Sequence, residues 1–378
     1  MDKKPERLVP EVRFKGFTDD WEQRKFDNVV KRINDKDDNP ELPHIEFENI
    51  ISGNGTLNKN IKNLNSKKIG TKFQKEDILF GKLRPYLKNW YFAKENGIAV
   101  GDFWVLRAKK ISVFVYYLIQ TEKFYSIANL SSGSKMPRSD WNLVSNSRFN
   151  FPENTIESIK IGNLILQFDK LITLQQRKLE QLKQLKKAML QYLLTTEKKS
   201  APLIRNKNYN NKWDTTTFSK LLNYERPENY IVTNTNYRKN GIPVLTANKS
   251  FILGYTNESN VYNKGEAIIF DDFTLENKFV NFPFMIKSSA IKILTSKVNY
   301  SLYFIFQLLQ HTKFIKEGHA RHYISVVQKQ TVRIPPSYEE QESISDTFSR
   351  IQSLIKLQQN KIDQYTTLKK YLLQKIFI

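Results

Sequence analysis

The segment LQQRKLEQLKQLKKAMLQ (residues 174–191) returns near the end of the chain as LQQNKIDQYTTLKKYLLQ (residues 357–374), aligned without a gap at an offset of 183. In both copies apolar residues recur at intervals of three and four, the pattern of a helix that buries one face. The first copy carries Phe168, Leu171, Leu182, Leu185 and Met189, with Ile172, Leu179 and Leu193 alongside. The second carries Ile351, Leu354, Tyr365, Leu368 and Leu372, with Ile355, Ile362 and Ile376. Such spacing makes a coiled-coil seam. Both seams break at the same phase, at Gln175 and Lys178 and again at Gln358 and Lys361. Two readings are open: facing polar residues that pair and fix register, or a loosely packed, wetted point.

The duplication extends outward. FPENTIESI from Phe151 matches IPPSYEEQESI from Ile334 at the same offset, pairing Pro152 with Pro335 and Glu157 with Glu340. PEVRFKGFTDDWEQRKF from Pro10 matches PLIRNKNYNNKWDTTTF from Pro202 at an offset of 192, pairing Arg13 with Arg205, Trp21 with Trp213 and Phe26 with Phe218. The ends of the repeat agree while its middle has diverged, so the ends share one job and the middles have different ones. The pattern predicts a lead segment (1–20), a globular domain (21–151), a helical region (152–198), a basic Asn-rich linker (199–212), a second globular domain (213–334) and a second helical region (335–378). Strand-like runs include DILFGKL, GIAVGDFWVLRA, GIPVLTA, EAIIFDDF and SSAIKILT. Helix-like runs lie at 113–124 and 300–314. The expected fold is α+β: two mixed α/β domains separated by two long antiparallel coiled-coil helices, with an internal pseudo-twofold repeat.

The chain has 378 residues, no cysteine and four histidines. That excludes disulfides and thiolate metal sites and makes a protein-held zinc centre a poor fit. The N-terminus MDKKPERLVPEVRF has no apolar h-region, and the expected location is cytoplasmic. The formal charge is +22, although only 15 of the 60 basic residues are arginine. A Lys/Asn/Ile bias accounts for part of this charge, but its size exceeds what solubility requires. A polyanion, nucleic acid rather than a membrane surface, is the simplest partner. Catalytic signatures are missing: no GxxxxGK[ST], no GxGxxG, and no Asn or Asp before Pro-Pro-aromatic. Asp271–Asp272 has no plausible partnered base, and the chain reads as one that binds rather than catalyses.

Several loops next to strands combine cations, amides and aromatics, the residue types that reach phosphates and base edges. In the first domain the candidates are Lys82, Arg84, Lys88 and Asn89, with Lys135, Arg138 and Asn142. In the second they are Thr246, Asn248, Lys249, Asn277 and Lys278, with His319, Arg321 and His322. On the first helix Leu174, Leu179, Leu190 and Leu193 lie partly off the stripe and are candidates for docking a helical partner.

Two divergent α+β domains, each followed by a similar long helix, resemble the specificity (S) subunits of type I restriction–modification systems. The resemblance covers essentially the whole chain. It rests on PEVRFKGFTDDWEQRKF, ILFGKLRPYLKN, GSKMPRSDWN, PVLTANKSFILGYT and DDFTLENKFVNFPFMIKSSAIKIL, together with the paired LQQxK…LKK…LLQ helices, in which Met189 replaces a leucine. It implies a non-catalytic DNA-recognition subunit whose two target-recognition domains read the halves of a split, asymmetric site in double-stranded DNA. It implies docking of two methyltransferase (modification) subunits that bind S-adenosylmethionine and methylate adenine, and of restriction subunits that use ATP and Mg. No cofactor is expected in this chain. A departure is the divergence of GHARHYIS from GSKMPRSD, which puts transfer of contact residues between the halves in doubt. Two rivals stand beside this reading: a self-sufficient restriction or methylation enzyme, and a coiled-coil scaffold with an incidental basic surface.

Overall fold

The computed structural model describes residues 8–130, 136–195, 199–248, 250–315 and 321–378. Two compact units divide the chain: residues 1–176 with 360–378, and residues 177–359. The division passes through both long helices, so each helix contributes one end to each unit.

In the first unit, strand Glu22–Lys25 pairs antiparallel with Arg148–Phe151, which clips the start of the globular part to its end. Between them lies an antiparallel sheet in the order Val30–Ile33, Phe103–Ala108, Ile78–Gly81, Trp90–Phe92. A smaller sheet, Lys36–Asp37, Gly70–Phe73, Gly97–Ala99 and His44–Ile45, includes one parallel pair. The aromatic rings of Phe26, Phe80, Phe124 and Phe149 meet in the core with centroids 5.4 to 5.7 Å apart. The helical run expected over 113–124 is two helices, Ser112–Leu118 and Glu122–Ala128. Thr121 causes the break: its hydroxyl accepts from the Phe124 amide and so caps the second helix.

The second unit repeats this plan. Asp214–Thr217 pairs with Thr331–Ile334, and the main sheet runs Leu222–Glu225, Ile291–Ser296, Ala267–Asp271, Asn277–Val280, again antiparallel throughout. A smaller sheet joins Ile252–Thr256, Ile242–Leu245 and Met285–Ile286. One helix, Leu302–His311, fills the place of the helical run expected over 300–314.

The matched residues at the repeat ends prove to be partners. Arg13 donates twice to the Glu157 carboxylate, at 2.7 and 2.9 Å, and Arg205 donates twice to Glu340, both at 2.7 Å. Both carboxylates are buried. A buried carboxylate is tolerable only when such a two-pronged guanidinium satisfies it, so each pair fastens a lead segment to the first turns of a long helix. Trp21 and Trp213 are both buried, and Trp213 donates its indole N–H to Glu340.

The long helices span Thr155–Leu193 and Tyr338–Ile376, 39 residues each. Along each helix an unbroken series of buried or half-buried positions alternates by four and three: 161, 165, 168, 172, 175, 179, 182, 186, 189, 193 and 344, 348, 351, 355, 358, 362, 365, 369, 372, 376. The helices run antiparallel in each unit. In the first, Phe168 lies against Tyr365 and Asp169 pairs with Lys369 at 2.7 Å; in the second, Lys186 donates to Gln352 at 2.8 Å. The polar seam positions are Gln175 and its counterpart Gln358, and Lys186 and its counterpart Lys369. Lys178 and Lys361, read as part of the break, face solvent instead.

Candidate nucleic-acid interface and docking face

The first unit gathers its candidate residues at one end of the main sheet. After Ile78–Gly81 the chain turns back through residues 82–88 to Trp90–Phe92, and Gly81 donates to the Asn89 carbonyl at 2.7 Å. A second loop packs beside this hairpin. The Arg84 amide donates to Pro137 O at 2.7 Å, and Ser139 N donates to Lys82 O at 2.9 Å. These bonds bring Lys82, Arg84, Lys88 and Arg138 together. Asp102 lies among them, 3.5 Å from Lys82 and 3.0 Å from Arg138, and holds both side chains in place. Asn142 is exposed on the short helix Trp141–Asn146, whose start is capped by Asp140. Asn89 is not at the surface. It is buried and its amide oxygen accepts from Ser52 at 2.7 Å, a bond that supports the hairpin.

In the second unit the equivalent hairpin, residues 272–275, is shorter, and Asp271 N donates to Glu276 O at 2.8 Å. The loop beside it is anchored in the same way: His322 N donates to Asp272 O at 3.0 Å, as Ser139 N does to Lys82 O. Arg321 therefore occupies the place of Arg138, each one residue before the anchoring amide, and both are exposed. The structure supplies the correspondence that the divergent loop sequences obscured. His322 itself is buried and Asn277 is buried, its side chain accepting from Gln310 at 2.6 Å; both are packing residues rather than exposed contacts. Thr246 is buried on the wall of a concave surface of about 700 Å³, where Asn248 is exposed beside Asp271, Thr274 and Lys287. Lys278 is half-buried on its strand. Lys135, Lys249 and His319 lie outside the described residues.

A buried charge cluster stiffens this end of the second unit. Lys292 lies 3.5 Å from Asp272 and over the Tyr224 ring, and the Asp272 carboxylate also accepts from Tyr323 N. Asp271 caps its own turn through the amides of Phe273 and Thr274. The acidic pair is thus spent on loop geometry. Among the described residues no cluster of acids and histidines could hold a metal ion, and no helix is long and apolar enough to cross a membrane.

The helix leucines need correction. Leu179 occupies the seam and is buried, while Leu190 and Leu193 pack against the second unit's core; of the four candidates only Leu174 is exposed. The exposed leucines are Leu171, Leu174 and Leu368 in the first unit and Leu185, Leu354 and Leu357 in the second. Each stands one residue before a seam position, and the positions match between copies. The sequence reading missed this because it counted Leu171, Leu185, Leu354 and Leu368 as seam.

Residues 187–366 match the profile of the type I restriction modification DNA specificity domain. The matched stretch is a little under half of the chain. A curated relative, the type I restriction enzyme EcoR124I/EcoR124II specificity subunit of Escherichia coli, is 41% identical over 126 residues. The aligned stretch is 31% of this chain and 31% of that protein. The chain is similar in fold to the crystal structure of a type I restriction–modification S subunit from M. genitalium, at 12% identity, a TM-score of 0.69, and coverage of 98% and 99% of the two chains. It is also similar to a chain from a structure addressing assembly and conformational transition of the type I system, at 16% identity, a TM-score of 0.53, and coverage of 93% and 96%. The family's description names DNA specificity and no catalytic step.

Proposed function

We propose that this chain is the non-catalytic, DNA-recognition subunit of a type I restriction–modification complex, its two units each reading one half of a bipartite, asymmetric site. The observation that carries this is one frame with two loop sets. The same clasp and the same sheet order present a cationic hairpin in the first unit and an uncharged or acidic one, with Asn248 and Arg321 nearby, in the second. A net charge of +22 supplies sequence-blind, salt-dependent affinity for phosphates, and the loops add discrimination of about 1–3 kcal/mol per well-read base pair.

The recognition domains are residues 21–151 and 213–334, each followed by one of the long helices, Thr155–Leu193 and Tyr338–Ile376. The matched exposed leucines, one set in each unit, suit docking of two modification subunits that bind S-adenosylmethionine and methylate adenine; restriction subunits using ATP and Mg would complete the assembly. The test is expression with these partners in a host lacking other methyltransferases, followed by methylation sequencing. Replacing residues 21–151 with a relative's domain should change one half of the methylated motif only. A change in both halves, or in neither, rejects the modular reading.

A further inference from the structure

We infer that Tyr86 and Leu87, at the tip of the first unit's hairpin, form a preformed apolar reader that packs on a thymine methyl group in the major groove. The inference rests on the DNA-recognition reading above. Among the described residues five non-glycine residues have positive φ, and two of them, Arg84 at 49° and Lys88 at 57°, bracket the turn Pro85–Leu87. Side chains adopt that conformation only where the surroundings impose it, and such residues cluster where geometry serves binding. The surroundings here are explicit. Arg84 N donates to Pro137 O, Lys88 O accepts from Gly53 N at 2.9 Å, Pro85 is buried, and Ser52 holds Asn89.

The tip is therefore rigid, yet it leaves Tyr86 55% and Leu87 41% exposed side by side. Backbone bonds and the buried Pro85 fix the turn, while the Tyr86 and Leu87 side chains themselves stay outside the core. The surrounding cations Lys82, Arg84, Lys88 and Arg138 suit phosphates on either side of a groove, which puts the apolar tip toward the base edges. The only apolar group that the major groove displays is the thymine 5-methyl. The second unit's shorter tip, residues 272–275, exposes Phe273 between Asp272 and Thr274 and carries no cation within the turn itself, so the device belongs to the first half-site.

The test uses the assembled complex and duplexes in which each thymine is replaced singly by deoxyuridine, which removes the methyl and keeps base pairing. With the native chain, at least one replacement in the first half-site should weaken binding about fourfold, one buried methyl's worth. The Tyr86→Ala/Leu87→Ala variant should lose that sensitivity and leave the second half-site's behaviour unchanged, while Tyr86→Phe should retain it. The same uracil sensitivity in the double variant, or indifference of the native complex throughout the first half-site, overturns the inference. A native complex with no sequence preference on any duplex would instead overturn the recognition reading beneath it.

Discussion

Replacing Gln352 by Asp should stabilise the second unit. The repeat puts Asp169 and Gln352 at equivalent positions, and their partners Lys369 and Lys186 are equivalent too. In the first unit the result is an ion pair at 2.7 Å, with side chains 13% and 23% exposed, and Lys369 also donates to Gln120. In the second, Lys186 has the neutral amide of Gln352 at 2.8 Å, and its pKa is held below the ordinary lysine value by burial, then by the nearby Lys278. A carboxylate in place of the Gln352 amide restores the missing charge. Two opposite charges about 4 Å apart attract by about 4 kcal/mol at an effective dielectric of 20, of which desolvation and side-chain ordering remove most. Aspartate is also a poorer helix former than glutamine, by about 0.3 kcal/mol. We expect a net gain of about 1 kcal/mol at pH 7.

The pH dependence follows from the direction of the shift. In the native chain Lys186 loses its proton more readily when folded, so its cost to stability is fully present at neutral pH. That cost is relieved as pH rises from the depressed value toward the ordinary lysine pKa near 10.4. In the Gln352→Asp variant the shift reverses, and the pair's contribution is present below the ordinary pKa and lost above it. The advantage of the variant should therefore shrink as pH rises toward 10. Trp213 is the second unit's only tryptophan, so 5-fluorotryptophan labelling gives one fluorine resonance that follows this unit alone through a urea titration. No gain at pH 7, or a gain that does not shrink with pH, refutes the reasoning.

Glu340→Gln should cost the second unit about 3 kcal/mol, because it leaves the half-buried Arg205 guanidinium without its carboxylate; the same fluorine titration measures it. Leu185→Asp with Leu354→Asp should abolish co-purification with the modification subunit while circular dichroism stays native; Leu179→Asp should unfold the second unit instead. Inserting one heptad into both helices, after Gln176 and after Gln359, keeps the seam in phase and lengthens it by about 10 Å. Methylation sequencing should then show the gap in the recognised motif widened by about three base pairs; an unchanged gap with activity retained shows that the helices only dock partners. An insertion after Thr195 would not do this, since the first helix ends at Leu193.

The repeat was legible because its matched residues are structural. Arg13, Glu157, Trp21 and Phe26 and their counterparts are buried or clasped, and such positions tolerate few residue types. Strands such as Ile78–Gly81, buried along their whole length, could be read from apolar runs alone. The candidate interface was legible only as loops. Asn89, Asn277 and His322 carry side chains suited to bases, but burial and hydrogen bonding decide their role, and neither is encoded locally. The equivalence of Arg138 and Arg321 was hidden for a related reason. Each is positioned by a backbone amide bonded to a strand end, and a backbone bond constrains almost nothing about the residue that makes it.

That arrangement separates what must be kept from what can change. Breaking a buried clasp by removing one partner costs about 3–5 kcal/mol, a large part of the roughly 5–15 kcal/mol that holds a typical domain folded. Exchanging an exposed side chain at a hairpin tip is usually worth no more than about 0.5 kcal/mol in stability, yet about 1–3 kcal/mol in base discrimination. Tip residues such as Tyr86 and Leu87 in one unit, and Phe273 and Thr274 in the other, can therefore be exchanged at little cost to the fold so long as the bonds beneath them, Ser52 to Asn89 and Asp271 to its turn amides, remain. Recognition in each unit can be altered without touching the clasp, the seam or the other unit. On the proposed function, a chain built as one frame repeated twice can read two unrelated half-sites.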